Sequence, residues 1–165
     1  MIWETIVIII YSVALLLIFF YALAQLNLLF NYLRSKKNDK VSPKFDLTKP
    51  EETPYVTIQL PVYNELYVME RLLTNIAQIE YPEGKLEIQV LDDSTDESFE
   101  LTAQQIKELQ QKGINILHVT RQNRTGYKAG ALKEGLKTAK GEYVAIFDAD
   151  FLPKKDWLLK TIPYF

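Results

Sequence analysis

Two aspartates one residue apart, Asp148 and Asp150, directly follow a short apolar segment of the sequence. Residues 143–147 combine β-branched and aromatic side chains, and this pattern predicts a buried strand. Carboxylates at the end of a buried strand are penalised by desolvation and by their like charge unless a cation compensates them. A hard divalent cation takes oxygen ligands, and Mg²⁺ usually shares its coordination sphere with substrate phosphates. The Asp-x-Asp pair therefore predicts a metal site that also holds a diphosphate.

The composition excludes several other classes of site. The chain of 165 residues has a formal net charge of -2, which is too small to indicate a nucleic acid or an acidic polymer as its partner. It contains no cysteine, which excludes a disulfide scaffold and any thiolate metal site. The length predicts roughly one domain.

The rest of the sequence alternates predicted strands with predicted helices. Strand patterns cover residues 55–60, 86–91 and 114–119, and each is followed by a helical pattern, with the three helices ending near 76, 111 and 140. The first strand is expected to end at Pro61, because proline cannot donate to a central ladder. We expect Asn64 to cap the first helix, and Ser94 with Glu97 to form a capping box at the second. The alternation predicts an α/β fold with a parallel sheet and helices on both faces.

Polar residues follow each of the four predicted strands at the point where the strand ends. In parallel α/β sheets, ligands bind at the carboxyl ends of the strands. The residues at that edge are Tyr63, Asn64 and Glu65 after the first strand, Asp92 and Asp93 after the second, Arg121 and Arg124 after the third, and Asp148 and Asp150 after the fourth. Their convergence on one edge is the strongest indication of a single binding site in the sequence.

The acidic pair Asp92 and Asp93 has two possible roles. It could simply start a loop and cap a helix, as acidic residues often do. Because it shares an edge with Asp148 and Asp150, one carboxylate that faces inward would instead accept hydrogen bonds from a nucleobase or a ribose. Tyr63 could equally pack in the core or stack on a nucleobase, and both interpretations stay open.

Lys128 is predicted to contact a phosphate group. It lies at the expected start of the third helix, between Gly126 and Gly130. Amides at a helix N-terminus attract anions, glycines allow close approach, and lysine adds a mobile positive charge. The alternative is an ordinary exposed lysine, which is the commonest environment for this residue.

The N-terminal part of the chain is predicted to cross a membrane. Residues 6–24 carry no charge, and as a helix they would span about 28 Å, close to the ~30 Å hydrocarbon core. A cleaved signal peptide is the competing interpretation, because the Ala-Leu-Ala at 22–24 resembles a cleavage site. The segment lacks a basic start and its apolar run continues to residue 30, which favours a membrane helix. We therefore predict a transmembrane helix over residues 5–30.

The charges that flank this predicted helix indicate its orientation. Basic residues follow it at Arg34, Lys36, Lys37 and Lys40, and none precedes it. The positive-inside rule then places the N-terminus outside and the rest of the chain in the cytoplasm. Residues 31–54, with their prolines and charges, are predicted to form a basic cytoplasmic linker rather than a packed element.

Four blocks of the sequence occur in an order that is typical of one enzyme family. They are Pro-Val-Tyr-Asn-Glu at 61–65, Ile-Gln-Val-Leu-Asp-Asp-Ser-Thr-Asp at 88–96, Arg-Thr-Gly-Tyr-Lys-Ala-Gly-Ala-Leu-Lys-Glu-Gly-Leu at 124–136 and Phe-Asp-Ala-Asp at 147–150. On these blocks the chain resembles family 2 glycosyltransferases of the cellulose synthase superfamily. The Tyr-Lys-Ala-Gly-Ala-Leu form is most similar to the glucomannan and xyloglucan-backbone branches and their bacterial relatives. The resemblance covers about residues 55–155.

The resemblance implies a GT-A fold, here an incomplete parallel sheet preceded by one transmembrane helix. Residues 55–165 would be the nucleotide-sugar-binding half of the glycosyltransferase domain. The resemblance implies that the nucleotide is contacted by Tyr63, Glu65 and Asp93, and the diphosphate by Lys128. It further implies that Asp148 and Asp150 hold Mg²⁺ or Mn²⁺, with Asp150 favoured as the direct metal ligand. From the acidic pair discussed above, Asp92 is predicted to contact the nucleotide as well.

The activity implied by the resemblance is an inverting transfer of a hexose. The donor would be of the UDP-glucose or GDP-mannose type, and the acceptor a polysaccharide, another glycan or a lipid-linked sugar. The enzyme would lie in a plasma, inner or Golgi-type membrane and would bind no nucleic acid.

The sequence departs from the family's pattern after the Asp-x-Asp. The family places its general base in a Thr-Glu-Asp motif and an acceptor-side Gln-x-x-Arg-Trp farther along, and neither motif occurs in this sequence. We therefore expect a donor-binding half whose general base lies downstream. The alternative is a catalytically inactive, membrane-tethered module that binds a nucleotide sugar.

Two other fold families fit the sequence less well. A phospho-receiver-like domain would carry its acidic pair after the first strand, where this chain has Pro-Val-Tyr-Asn-Glu. A dinucleotide oxidoreductase would carry a Gly-x-Gly-x-x-Gly after the first strand, and none is present.

Overall fold

A computed structural model of the chain describes residues 2–36, 42–49 and 51–165. The chain divides into two compact units, Met1–Ser42 and Pro43–Phe165. The second unit contains every predicted site residue, so the sheet and the cavity belong to one unit.

The first unit is dominated by one helix, α1 (Ile2–Lys36), of 35 residues. No charged residue occurs from position 5 to position 33, which corresponds to about 44 Å of helix. Among the described residues it is the one helix that is long and apolar enough to cross a membrane, with a mean hydropathy of 2.9. The helix continues through residues 31–36, where the sequence predicts the start of the linker. Lys37 and Lys40 of the basic flank lie outside the described residues.

The second unit is built around a four-stranded parallel sheet. Its elements in chain order are β1 (Val56–Val62), α2 (Met69–Ile76), β2 (Leu86–Asp92), α3 (Ser98–Gln111), β3 (Ile116–Thr120), α4 (Tyr127–Leu136), β4 (Tyr143–Ile146), α5 (Trp157–Thr161) and a 3₁₀ turn (Ile162–Tyr164). The strand order is β3-β2-β1-β4, and all three pairings are parallel. The predicted α/β fold with a parallel sheet is confirmed.

The core lies against the central strand. Val56, Ile58 and Leu60 of β1 are fully buried. The four buried residues of α2, at positions 69, 72, 73 and 76, recur at helical spacing and form one apolar face. Burial of such side chains stabilises the fold by about 1.5–3 kcal/mol each.

β1 extends through Pro61 to Val62, two residues beyond the predicted end of the strand. The carbonyl of Gln59 accepts from the amide of Phe147 at 3.1 Å, so the backbone N–H and C=O groups of Gln59 point toward β4. Pro61, two residues on, faces the same side, because backbone groups alternate along a strand. The β1–β4 pairing ends at the Gln59–Ile146 pair. The missing N–H of Pro61 therefore interrupts no pair of the ladder.

The predicted helix caps are wrong, because the side chains concerned join two loops. Asn64 has a φ of 55°; its Oδ1 accepts from the Thr95 amide at 2.9 Å, and its own amide donates to Ser94 Oγ at 2.9 Å. α2 begins only at Met69. α3 begins at Ser98, and its N-cap residue makes no side-chain capping bond.

Part of the predicted linker belongs to the second unit and packs on its other residues. The amides of Lys44 and Phe45 both donate to the carbonyl of Pro163. The ring of Phe45 lies 5.9 Å from that of Tyr143, and Leu47 also packs against the core. Two apolar side chains between the prolines thus hold this segment, which differs from the tether that the sequence predicts.

Four polar side chains of β1 and β2 form an enclosed cluster, the polar layer, which consists of Thr57, Gln59, Glu87 and Gln89. None of the four is exposed to solvent. Thr57 Oγ1 donates to Glu87 Oε1 at 2.7 Å, and Gln59 Nε2 donates to Gln89 Oε1 at 2.9 Å. Each bond joins residues that are paired in the β1–β2 register.

The polar layer also holds the segment between α4 and β4. The amide of Lys140 donates to Glu87 Oε1 at 2.6 Å, and that of Gly141 donates to Thr57 Oγ1 at 2.8 Å. Gly135 of α4 lies so close to the layer that a Cβ added there would be 2.6 Å from Gln59 Nε2. A residue without a side chain is therefore required at this contact.

Candidate functional site

One cavity of about 480 Å³ lies at the carboxyl ends of β1, β2 and β4 and against the start of α4. Six predicted site residues line it: Tyr63, Glu65, Asp93, Lys128, Asp148 and Asp150. Arg124, from the loop after β3, lines it as well. The volume is in the range of small-molecule sites. The structure thus brings residues from all four strand ends to one cavity.

Asp93 is held in place by Arg121. The guanidinium Nε donates to Asp93 Oδ1 at 2.6 Å and Nη2 to Oδ2 at 2.5 Å, and both side chains are largely buried. The hydrogen bonds with Asp93 raise the pKa of the Arg121 guanidinium. A carboxylate offers about four lone-pair positions, and the arginine occupies two of them. Asp93 therefore keeps capacity to accept from a ligand in the cavity.

Asp92 is the one predicted site residue that does not line the cavity. Its Oδ1 accepts from the Ser94 amide at 2.8 Å, and its Oδ2 lies 2.9 Å from Nε2 of His118, a residue without an evident partner in the sequence. Burial raises the pKa of Asp92, but the bonds from His118 and Ser94 outweigh it, and the pKa lies below its ordinary value. The structure thus places Asp93, and not Asp92, at the cavity where the sequence predicts a nucleotide contact for both, because successive side chains of a strand point to opposite faces.

Arg124 covers the ring of Tyr63. Its guanidinium carbon lies 3.3 Å from the centroid of the Tyr63 ring and 5.2 Å from that of Tyr127. Its Nε lies 3.8 Å from Asp93 Oδ2. Tyr63 is 37% exposed at the cavity, which removes the interpretation that it packs in the core.

The start of α4 has the backbone shape that the glycines in the sequence suggest. Gly126 has a φ of 76° and Tyr127 has a φ of 48°, so the chain turns through the left-handed region just before Lys128. Lys128 Nζ forms an ion pair with Asp148 Oδ1, and both side chains are more than half exposed. An exposed pair of this kind contributes only about 0–1 kcal/mol, so it can exchange partners readily.

The donor set at Asp148 and Asp150 fits a divalent cation that is completed by a ligand. In residues 2–36, 42–49 and 51–165, no three His, Cys, Asp or Glu side chains come together as metal ligands. Mg²⁺ is usually bound through one or two carboxylates together with substrate phosphates. Two carboxylates on the same cavity as Lys128 match that arrangement.

Two site residues received no role from the sequence, although their position at the edge was predicted. Arg121 and Arg124 both follow β3, and both reach Asp93. The available signal was charge: two arginines on an edge with several carboxylates are expected to form ion pairs. The sequence could not show which arginine would pair with which carboxylate.

Comparison with known proteins agrees with this geometry. Residues 57–165 match the family model described as Glycosyl transferase family 2. The chain is 45% identical over 117 residues to the probable glucomannan 4-beta-mannosyltransferase 7 of Oryza sativa subsp. japonica, a match that covers 68% of this chain and 20% of that protein. It is 41% identical over 150 residues to glucomannan 4-beta-mannosyltransferase 1 of Cyamopsis tetragonoloba, covering 87% of this chain and 28% of that protein.

Solved structures show the same fold. The mannosyltransferase PcManGT of Pyrobaculum calidifontis, in complex with GDP-Man and Mn²⁺, is 34% identical with a TM-score of 0.60 over 79% of this chain and 39% of its own. S. aureus TarS 1-349 is 27% identical with a TM-score of 0.56 over 64% of this chain and 30% of its own. The predicted GT-A fold is confirmed, and the chain spans about a fifth to just over a quarter of the two plant relatives. On the family match and these relatives, the chain belongs to glycosyl transferase family 2.

Proposed function

We propose that this chain carries the donor site of a membrane-anchored glycosyltransferase that transfers a hexose from a nucleotide-diphospho-sugar to a glycan acceptor. The observation that carries the proposal is the cavity where Asp93, Lys128 and the Asp148–Asp150 pair meet. GDP-mannose is the favoured donor, because the plant relatives are named as mannosyltransferases and PcManGT was solved with GDP-Man and Mn²⁺. UDP-glucose is the second donor to test.

The nucleoside would occupy the part of the cavity between β1 and β2. Asp93 would accept hydrogen bonds from the base or the ribose with the lone pairs that Arg121 leaves free. The Tyr63 ring would stack on the base. Glu65, which lines the same wall, would accept from a hydroxyl group of the nucleotide.

The diphosphate would lie between the start of α4 and the end of β4. Lys128 would leave Asp148 and contact a phosphate oxygen, and this costs little because the pair is exposed. Asp148 and Asp150 would hold Mg²⁺ or Mn²⁺, with Asp150 as the more direct ligand. When bound, the cation neutralises charge on the leaving diphosphate.

The remaining parts of the reaction are proposed from the family. An acceptor hydroxyl would attack the anomeric carbon from the face opposite the diphosphate, so the configuration would invert. The general base that takes the hydroxyl proton would come from outside these 165 residues, because the Thr-Glu-Asp motif does not occur in them.

We further propose that α1 anchors the protein, with the N-terminus outside and the second unit in the cytoplasm. The chain contains no cysteine, so single cysteines report topology without background. An impermeant maleimide should label Ile2→Cys in intact cells and should label Glu83→Cys only after the membrane is broken. The reverse pattern would overturn the orientation.

Calorimetry of the full chain in detergent micelles tests the donor site. We expect saturable binding of GDP-mannose, and weaker or no binding of UDP-glucose, in the presence of Mn²⁺, with the affinity lost when EDTA removes the metal. Stronger binding of UDP-glucose than of GDP-mannose would identify UDP-glucose as the donor and would still support the proposed site. Absence of binding by both donors would contradict the proposed function.

A further inference from the structure

Arg121 joins the two halves of the cavity with one side chain. Besides its two bonds to Asp93, its Nη1 donates to the carbonyl of Thr125 and its Nη2 to that of Tyr127, both at 2.8 Å. These two carbonyls belong to the turn that precedes Lys128. The guanidinium therefore connects the carboxylate on the nucleoside side with the backbone on the diphosphate side.

The surroundings of Arg121 fix it in this position. Its side chain is 13% exposed, and it does not line the cavity itself. A Cβ added to Gly130 would collide with Arg121 Nη1 and with the Thr125 carbonyl, so α4 packs directly on the guanidinium. Tyr127 adopts a φ of 48°, which costs about 1 kcal/mol or more for a residue with a side chain and persists only where neighbouring contacts enforce it.

We propose that Arg121 is a positioning residue that makes the shape of the diphosphate site depend on Asp93, although Asp93 itself contacts only the nucleoside. The proposal rests on the proposed function and adds a mechanical link between the two subsites. The guanidinium uses three nitrogens for four bonds, and a lysine at this position has one nitrogen and cannot reproduce them. Loss of Asp93 should therefore release the turn before Lys128.

The link predicts an effect whose sign is opposite to that of simple electrostatics. Asp93→Asn removes one negative charge from the cavity, and this change alone would strengthen the binding of an anion. If Arg121 transmits the loss to the turn, the same variant weakens the binding of inorganic pyrophosphate. Glu97→Gln is the control, because it removes one exposed negative charge from the loop after β2, lies outside the cavity and has no bond to Arg121 in the described residues.

The experiment titrates inorganic pyrophosphate with Mn²⁺ into the full chain in micelles, for the wild type, Asp93→Asn, Glu97→Gln, Arg121→Lys and the Asp93→Asn/Arg121→Lys double variant. We expect about a tenfold loss of affinity in Asp93→Asn and in Arg121→Lys, no loss in Glu97→Gln, and no further loss in the double variant. Circular dichroism melting identifies a variant that fails to fold, and Arg121→Lys, which keeps the charge, then carries the test.

The outcomes separate this inference from the proposed function. Wild-type binding of the GDP-mannose–Mn²⁺ complex tests the function alone. If the wild type binds it and both Asp93→Asn and Arg121→Lys keep full affinity for pyrophosphate, the positioning role is wrong and the donor site stands. If Glu97→Gln weakens pyrophosphate as much as Asp93→Asn does, the effect is not transmitted through Arg121, and the inference is overturned.

Discussion

The polar layer and the cavity place polar side chains on the same two strands, β1 and β2, with opposite consequences. The polar layer lies inside the strands, is fully buried, and directs its hydrogen bonds to neighbouring side chains and to the amides of Lys140 and Gly141. The cavity residues lie beyond the strand ends, where Lys128 and Asp148 form an exposed ion pair. The first group closes the fold, and the second faces a space that a ligand can enter.

The difference teaches which polar contacts can exchange partners. Breaking a bond of the polar layer leaves a buried group unsatisfied, which costs about 1–3 kcal/mol. Breaking an exposed ion pair costs about 0–1 kcal/mol because water and salt replace the partner. The polar layer within β1 and β2 therefore supports the fold, while the exposed Lys128 and Asp148 remain available for binding.

The largest effect is expected at Asp150. Asp150→Ala should weaken Mn²⁺-dependent binding of GDP-mannose by about 100-fold or more, because it removes the favoured metal ligand. The melting temperature should stay within a few degrees of the wild type, since the side chain is exposed. Calorimetry with and without Mn²⁺ measures the first quantity, and circular dichroism measures the second.

The control for Asp150→Ala is Glu83→Ala, which removes an exposed carboxylate at a turn outside the cavity. Its donor affinity should equal that of the wild type. Unchanged affinity in Asp150→Ala as well would remove the metal role from this residue.

A smaller effect is expected at Lys128. Lys128→Ala should weaken the affinity for GDP by about 10-fold and leave the affinity for guanosine nearly unchanged, because the proposed charge-assisted bond to phosphate is lost. Lys133→Ala, an exposed lysine of the same helix, is the matched control. An equal loss for GDP and guanosine in calorimetry would speak against a phosphate contact.

Two glycines of α4 allow the polar layer and the cavity residues to be compared through the same kind of substitution, glycine to alanine. Gly135→Ala should lower the free energy of unfolding by about 1–3 kcal/mol, because the new Cβ meets Gln59 and Gln89 of the polar layer. Gly130→Ala should have a similar cost and should also weaken pyrophosphate, because it meets Arg121 and Thr125. Chemical denaturation and calorimetry measure the two effects. If Gly135→Ala weakened pyrophosphate binding and Gly130→Ala did not, the distinction between the polar layer and the cavity would be contradicted.

The smallest effect is expected at Asp92, whose pKa is lowered in the folded protein. Its contribution to stability is present above its ordinary pKa of 3.8 and is lost as the pH falls through the lowered value. Asp92→Asn should therefore cost about 1 kcal/mol at neutral pH, and the difference from the wild type should close in acid. Donor affinity should not change. Denaturation at several pH values measures the gap, and a constant gap down to pH 2 would contradict this prediction.

The order of strands and helices could be predicted because hydrophobic periodicity is local. β2 lies within one residue of its predicted bounds, and α3 ends at the predicted residue although it begins later than the predicted cap requires. The convergence of Tyr63, Asp93 and Asp148 on one cavity followed from a general rule about parallel sheets, not from any one residue.

Features that depend on contacts between distant segments could not be predicted. Asn64 and Ser94 are residue types that commonly cap helices, yet they form hydrogen bonds between two loops that lie 30 residues apart in the chain. Which of Asp92 and Asp93 faces inward depends on the last residue of β2, and strand ends are uncertain from sequence. The pairing of Arg121 with Asp93 depends on the β2–β3 register for the same reason.

In the proposed donor site, the ion pair between Lys128 and Asp148 favours a ligand that replaces both partners at once. A free phosphate that binds Lys128 would leave Asp148 unpaired beside a second carboxylate. A free cation that binds Asp148 would leave Lys128 unpaired. A metal–diphosphate complex carries both a cation and an anion, so Lys128 and Asp148 each exchange one oppositely charged partner for another. Because the pair is exposed and contributes only about 0–1 kcal/mol, we expect it to disfavour free inorganic phosphate by about fivefold at most.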